Sequence, residues 1–407
     1  MQIILKKWFR IALLNLAIVA LMGVVLRYKI AFFLPFIDQR YLLHGHSHFA
    51  FAGWITQAIM TFMVAYLYSN GQENAIQKYK WFLIFNLVTA YGMLVSFPVQ
   101  GYGLVSILFS TLSIFVSYGF AILFWRDLNK IKEDATSKLW FKAALIFSVL
   151  SSIGPFYLSY MMAAHHFHEK YYLLTIYFFL HFQYNGWFFF ACMGLLVHKL
   201  ESMGITSSLF KRIFWYFFAA CIPAYFLSVL WLPMPTVVYI IVVLSAVVQL
   251  IAWGKLLKAI QSREKLFILN INRPGRILLM LVGIAFTIKL LLQMGSTHPQ
   301  LSQIAFGFRP IVIGYLHLVL LGVITIFLLA YSVMQQYLSL VKTALVGLSI
   351  FIVGIILNEG FLMAQGIRAL QNESITIIQV ALFVVALIMF SGIAILVKSQ
   401  WLAEREG

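Results

Sequence analysis

Apolar runs about twenty residues long recur through nearly the whole chain, and they leave it one kind of surrounding solvent. A bilayer core of about 30 Å takes roughly 20 apolar residues per helix. Measured against that length, the sequence predicts spans near 9–27, 42–67, 81–98, 102–125, 139–162, 172–197, 210–231, 235–256, 276–294, 311–335, 341–363 and 374–397. The third and fourth are separated only by a turn around Gly101 and Gly103. The runs are continuous and far longer than the roughly ten alternating residues of a barrel strand, which excludes a transmembrane β-barrel. Only 10% of the residues are charged, against about 25% in soluble domains, too few to cover a water-facing surface. The expected fold is an all-α integral membrane protein of about twelve helices, one transmembrane domain over residues 1–407.

A net charge of +17 would suit a nucleic-acid partner if the cations shared one soluble face. They fall between spans instead, which is how a membrane protein fixes its orientation. Lys78 and Lys80, then Arg126, Lys130, Lys132 and Lys138, then Lys199, Lys211 and Arg212, and six more over residues 255–276 all lie in even-numbered connections. Odd connections are poorer, with Arg27, Lys29 and Arg40 the main exception. Both termini are therefore expected in the cytoplasm, with the first run reading as a signal anchor because no small-residue cleavage site follows it. The partner this predicts is the lipid bilayer, and no nucleic acid. Cys192 and Cys221 both sit inside spans and read as core residues.

With that orientation, nine of the ten histidines fall toward the outer face. His44, His46 and His48 open the second span, His181 lies inside the sixth and His317 inside the tenth. His165, His166 and His168 occupy the outer link before the sixth span, and His298 the link before the tenth. Ionisable groups inside a membrane are costly and tend to mark function. An ordinary interhelical hydrogen bond is the competing reading for each one taken singly. As a set they are harder to dismiss, because a repeat carries them. His48 is followed by Gly53 and Trp54 in HFAFAGW, His181 by Gly186 and Trp187 in HFQYNGW, and His317 by Gly322 and Val323 in HLVLLGV. The three histidines stand about a third of the chain apart, so the expected plan is three four-helix arcs with pseudo-threefold symmetry, near 1–135, 136–270 and 271–407.

On these segments the chain resembles subunit I of the haem–copper oxidases and their nitric-oxide-reductase relatives, with NnrS-type membrane proteins a close alternative. QRYLLHGHSHFAFAGW is similar to the family's helix-two haem segment, and GYLHLVLLG to its helix-ten segment. The resemblance implies haem, of b type, bound by His317 with His44, His46 or His48. It implies His181 as a copper ligand, a quinol or a membrane or periplasmic electron-transfer partner, and the bacterial cytoplasmic membrane. The departures are specific. Tyr315 stands where the family has its high-spin haem histidine, a candidate haem-binding residue in its place against an interhelical hydrogen bond, and the seventh span, FWYFFAACIPAYFLSVLW, lacks the paired copper histidines. His165, His166 and His168 are the only substitutes for a copper or non-haem iron site, with a solvated loop cluster as the competing reading. The oxygen- or nitric-oxide-reducing centre therefore reads as incomplete. That leaves open whether the chain is a divergent reductase or a protein of electron transfer or gas metabolism that carries out no reduction.

Arg40, Arg309 and Arg368 are candidates for haem propionates, against ordinary interfacial anchoring. Glu359, beside Asn358, is the only carboxylate well inside a span and the candidate for proton chemistry. Lys289 is expected to snorkel outward. The rival function is a proton-coupled transporter using His181, Glu359 and Lys289. Transporter repeats are usually twofold or inverted, which favours the threefold reading.

Overall fold

The computed structural model describes residues 2–131, 135–164, 168–205, 208–371 and 373–405, and among them every regular element is helical. Lipid offers no partner for backbone N–H and C=O, so a helix that satisfies them internally is the form an apolar run must take. In chain order the helices are α1 (Gln2–Ala31), α2 (Gln39–Phe49), α3 (Gln57–Ser69), α4 (Ala75–Gln100), α5 (Leu104–Leu128), α6 (Ser137–Ser151), α7 (Ile153–Ala163), α8 (Glu169–His181) and α9 (Phe189–Ser202). They continue with α10 (Ser208–Cys221), α11 (Thr236–Gln261), α12 (Glu264–Asn270), α13 (Arg273–Gly295), α14 (Pro299–Gly307), α15 (Arg309–His317), α16 (Ile326–Met334), α17 (Lys342–Leu370) and α18 (Thr376–Arg405). Three π-helical segments, π1 (Ala50–Thr56), π2 (Phe182–Phe188) and π3 (Leu318–Thr325), join α2 to α3, α8 to α9 and α15 to α16.

Ten of these helical runs, a joined pair counted as one, are long and apolar enough to cross a bilayer. The seventh predicted span is bent: α10 stops at Cys221 and a 3-10 turn, Pro223–Val229, continues at 45° to it. Pro223 causes the break, because it has no N–H to give and its ring crowds the preceding turn. The sixth, the run α8–π2–α9, is helical throughout but less apolar than the ten, since His181, Gln183 and Asn185 fall in its centre. The turn between the third and fourth spans is where it was expected. Gly101 has φ +59 with the Tyr41 ring against its Cα, a conformation and a space that suit glycine alone.

The chain divides into two units, Met1–Phe124 with Leu328–Gly407, and Trp125–Phe327. In the first, α1 packs along α18 and along the α2–π1–α3 run, and α17 lies against α18. The α17–α18 contact is backbone on backbone. A Cβ on Gly392 would stand 2.5 Å from the Phe351 nitrogen, and one on Gly347 would stand 2.7 Å from the Leu396 nitrogen. Small residues at such crossings are what let helices associate without a hydrophobic drive. Asp38 caps α2 by accepting from the N–H groups of Arg40 and Tyr41. The Tyr41 N–H above all, then that of Arg40 and the charges of Arg40 and Lys29, hold its carboxyl below the ordinary carboxylate range.

The second unit is built around aromatic rings. Trp140 of α6 is fully buried and meets Phe190 at 5.2 Å and Phe214 at 5.2 Å, while Phe189 stacks on Phe286 at 5.1 Å. These large, stiff side chains pin α6, α9, α10 and α13 to one another.

Candidate functional site

Each histidine of the sequence repeat is followed within two residues by a π-helical segment: π1 after His48, π2 after His181 and π3 after His317. π turns are uncommon and concentrate at functional positions. Each holds its repeat glycine, and at Gly53 and Gly186 a neighbour occupies the space a Cβ would take, while at Gly322 a Cβ would make only ordinary contact. A Cβ on Gly53 would meet the Phe49 ring at 2.7 Å, one on Gly186 would meet Phe147 Cβ at 2.6 Å, and one on Gly322 would meet Ala285 Cβ at 3.4 Å. What approaches Gly53 and Gly186 is thus a phenylalanine side chain.

A π turn offers its carbonyls to side-chain donors, and two of the three segments use this. In the first unit Asn15 of α1, itself fully buried, donates to the Gly53 carbonyl (2.6 Å) and accepts from the Tyr91 hydroxyl (2.7 Å). Asn86 of α4 donates to the Ala52 carbonyl (2.9 Å) and to Gln57 Oε1 (2.8 Å). In the second unit the Cys221 thiol reaches the Asn185 carbonyl at 3.7 Å. Ala52 and Asn185 hold the same place, one residue before the repeat glycine, so the repeat extends to how its backbone is satisfied.

The histidines of α2 divide between two faces. His44 and His48 lie against α4, with His48 stacked on Phe97 at 4.4 Å and its Nε2 3.3 Å from the Tyr102 hydroxyl. His44 meets the Tyr102 ring at 4.7 Å. His46 faces Gly23 of α1, its Cε1 3.6 Å from where a Cβ would be. Gly45 lets α2 close on Pro98, where a Cβ would come within 2.9 Å.

In the second unit His317 gives its Nδ1 proton to the Ile313 carbonyl at 2.8 Å, which leaves Nε2 as the lone-pair nitrogen of the neutral ring. That is the tautomer of a metal-ligating histidine, whose other nitrogen is held by a carbonyl or carboxylate. His181 is held differently. Its Nε2 donates to the Cys221 carbonyl (2.8 Å) and its Nδ1 accepts from Asn185 Nδ2 (3.2 Å), so both ring nitrogens are engaged. The bond follows from the Pro223 break. The Tyr225 N–H, which an unbroken α-helix would send to Cys221, goes to Ile222, and the imidazole takes its place. Tyr315 faces the Tyr184 ring at 6.3 Å.

Lys289 does not snorkel. It is 3% exposed and lies on the buried stripe of α13 with Leu278, Val282, Ala285, Phe286 and Gln293. Its ammonium stands 5.2 Å from the Phe286 ring centroid and, among the described residues, has no ion-pair partner. It lines a cavity with room for about one water, together with His181, Asn185, Cys221 and Gln249. The sequence marked Lys289 but not Gln249, Asn15 or Asn86; a polar residue inside an apolar run was the signal available for all three. An unpaired buried ammonium costs several kcal/mol. Replacing Lys289 by methionine should therefore raise stability by about 1–3 kcal/mol, read as a higher thermal midpoint in detergent. A fall of that size would mean that the ammonium is compensated within the cavity.

The remaining candidates lie apart. Glu359 accepts from Asn358 Nδ2 at 3.2 Å and is within electrostatic reach of Arg27, both in the first unit. Arg368 is half-exposed and pairs with Glu373 at 3.5 Å. Arg40 and Arg309 are exposed, and so is His168 at the start of α8. His165 and His166 lie outside the described residues. Among the described residues no three His, Cys, Asp or Glu side chains gather as a metal site. No protein-family model matches the chain, and no curated protein matches it.

Proposed function

We propose that the chain is a haem-binding membrane protein on the plan of haem–copper oxidase subunit I. Its twelve spans would form three four-helix arcs, with both termini on the cytoplasmic side of a bacterial inner membrane. The observation that carries this reading is the threefold recurrence of a histidine leading into a π-helical turn with a glycine inside it. Single histidines arise in any bundle; the same histidine, backbone distortion and glycine at three places a third of the chain apart indicate a conserved purpose within one molecule. The donor chemistry fits an iron–imidazole bond at His317, whose Nδ1 is already held by Ile313. His44, His46 and His48 are the proposed cofactor-binding residues of the first unit. Bis-imidazole haem has no open coordination position and supplies one-electron transfer. The residues fit a copper centre poorly, because His181 spends both ring nitrogens on protein partners and Tyr315 replaces a histidine. The role proposed is therefore electron transfer, or a part in oxygen or nitric-oxide metabolism, supplied by a quinol or a membrane or periplasmic partner.

The test is a reduced-minus-oxidised optical spectrum with a pyridine haemochrome assay on protein purified from haem-replete cells. A low-spin alpha band present in the native chain and lost in His317→Ala is the expected result. Folded protein with no haem overturns the reading. A second reading, proton-coupled transport, is supported by the unpaired Lys289 beside Gln249 and by Glu359 near Arg27. Proton flux in liposomes, with Lys289→Met and Glu359→Gln as variants, separates it from the first.

A further inference from the structure

The basic connection after α11 has more structure than orientation requires. Lys255, Lys258 and Arg263 stand around a recess of about 760 Å3, counted to its open mouth, between the end of α11 and the start of α10. The opposite wall is apolar, formed by Ile205, Leu209 and Phe210, and Phe210 is fully buried. No acidic side chain lines the recess, and among the described residues none of the three cations has an acidic ion-pair partner. Lys255 and Lys258 share a face of α11 at helical spacing, and the Lys255 ammonium stands 5.2 Å from the Tyr216 ring centroid, leaning toward α10. Attraction to the negative end of the α11 dipole accounts for one cation in the last turn. It does not account for three around one concavity with a greasy wall.

The geometry points to a binding site for the phosphate of an anionic phospholipid, its headgroup between Lys255, Lys258 and Arg263 and the start of its acyl chains against Leu209, the half-buried residue of the apolar wall. The setting selects a lipid over a soluble anion. The recess lies where a bilayer-crossing helix ends, so a lipid phosphate reaches it without leaving the membrane, and the apolar wall would gain nothing from inorganic phosphate. Basic recesses between helices on the cytoplasmic side recognise anionic headgroups in this way. The site is independent of whether the chain binds haem.

The full chain in neutral detergent should gain thermal stability on titration with phosphatidylglycerol and not with phosphatidylcholine. The triple variant Lys255→Gln/Lys258→Gln/Arg263→Gln should weaken the phosphatidylglycerol response on the order of a hundredfold in half-effective concentration. Ala259→Trp, which fills the recess without altering charge, should weaken it as well. The triple variant Lys6→Gln/Lys7→Gln/Arg10→Gln removes equal charge from α1 and should leave it intact. Equal loss in both triple variants, or an unchanged response in the first, overturns the site. Inorganic phosphate matching the effect of phosphatidylglycerol overturns the lipid assignment in favour of a free anion.

Discussion

Asn15→Leu is expected to cost the first unit about 2–4 kcal/mol. The magnitude does not come from the hydrogen bonds themselves. Side-chain bonds between membrane helices are worth only about 0.6–2 kcal/mol each, because an unfolded chain in lipid finds other partners. It comes from what deletion leaves behind. Asn15 is the donor to the Gly53 carbonyl and the acceptor for the Tyr91 hydroxyl, and leucine, with the same branched outline but greater bulk, serves neither. Two polar groups lose their partner at once, the buried Gly53 carbonyl at about 1–3 kcal/mol and the half-buried Tyr91 hydroxyl at about 1 kcal/mol. Tyr91→Phe should cost less, since it removes its own polar group along with the bond. Unfolding in detergent should rank the variants Asn15→Leu well below Tyr91→Phe, with the double variant less destabilised than Asn15→Leu alone because no hydroxyl is then left without a partner. A native-like midpoint for Asn15→Leu would show that the π1 carbonyl is satisfied elsewhere.

Gly392→Ala should be comparably severe, about 3 kcal/mol, for a steric reason. Its Cβ would fall 2.5 Å from the Phe351 nitrogen and 2.9 Å from the Gly347 oxygen, and both are backbone atoms that no rotamer change can move. The only relief is to push α18 off α17, which undoes contacts along both helices. Gly53→Ala is the useful contrast. Its Cβ would meet a side chain, the buried ring of Phe49, so the strain can be met by a local shift of that ring instead of a displacement of one helix from another. If thermal unfolding found the two alanine variants equally mild, the α17–α18 approach would have room for a methyl group after all.

Much of the framework was legible from the runs of apolar residues, because in lipid length and hydropathy alone specify a helix. Gly101 marked a turn through backbone chemistry that is local by nature, whereas the seventh span was read as continuous although Pro223 carries the same kind of local signal for its break. The π segments were not legible. In a helix apolar on nearly all sides, nothing in the residue pattern distinguishes an i+4 from an i+5 bond, and the choice falls to neighbouring helices that supply Asn15, Asn86 or Cys221. Lys289 was misjudged for a related reason. Snorkelling assumes a free stem near a helix end, whereas the α13 stripe from Leu278 to Gln293 turns position 289 inward. The histidines stood out in the sequence as a repeat, yet their hydrogen-bonded states were out of reach. That His317 gives its Nδ1 proton to a carbonyl while His181 gives its Nε2 proton to one depends on Ile313 and Cys221, and the second of these lies in another span.

The π turns also set the phase of the helices that contain them. One added residue advances a helix by about 100°, so the half beyond π1, π2 or π3 presents a different azimuth from the one a 3.6-residue wheel would extrapolate. Such a span behaves as two rods joined end to end with an angular offset, one carrying the histidine and the other carrying the packing surface. Residues drawn on opposite sides of a single wheel can then share a neighbour, and those drawn together can part. Deleting one residue inside π2 would re-phase everything from Phe189 to Ser202 while leaving His181 where it is, so the histidine end and the packing end of each span can be altered separately.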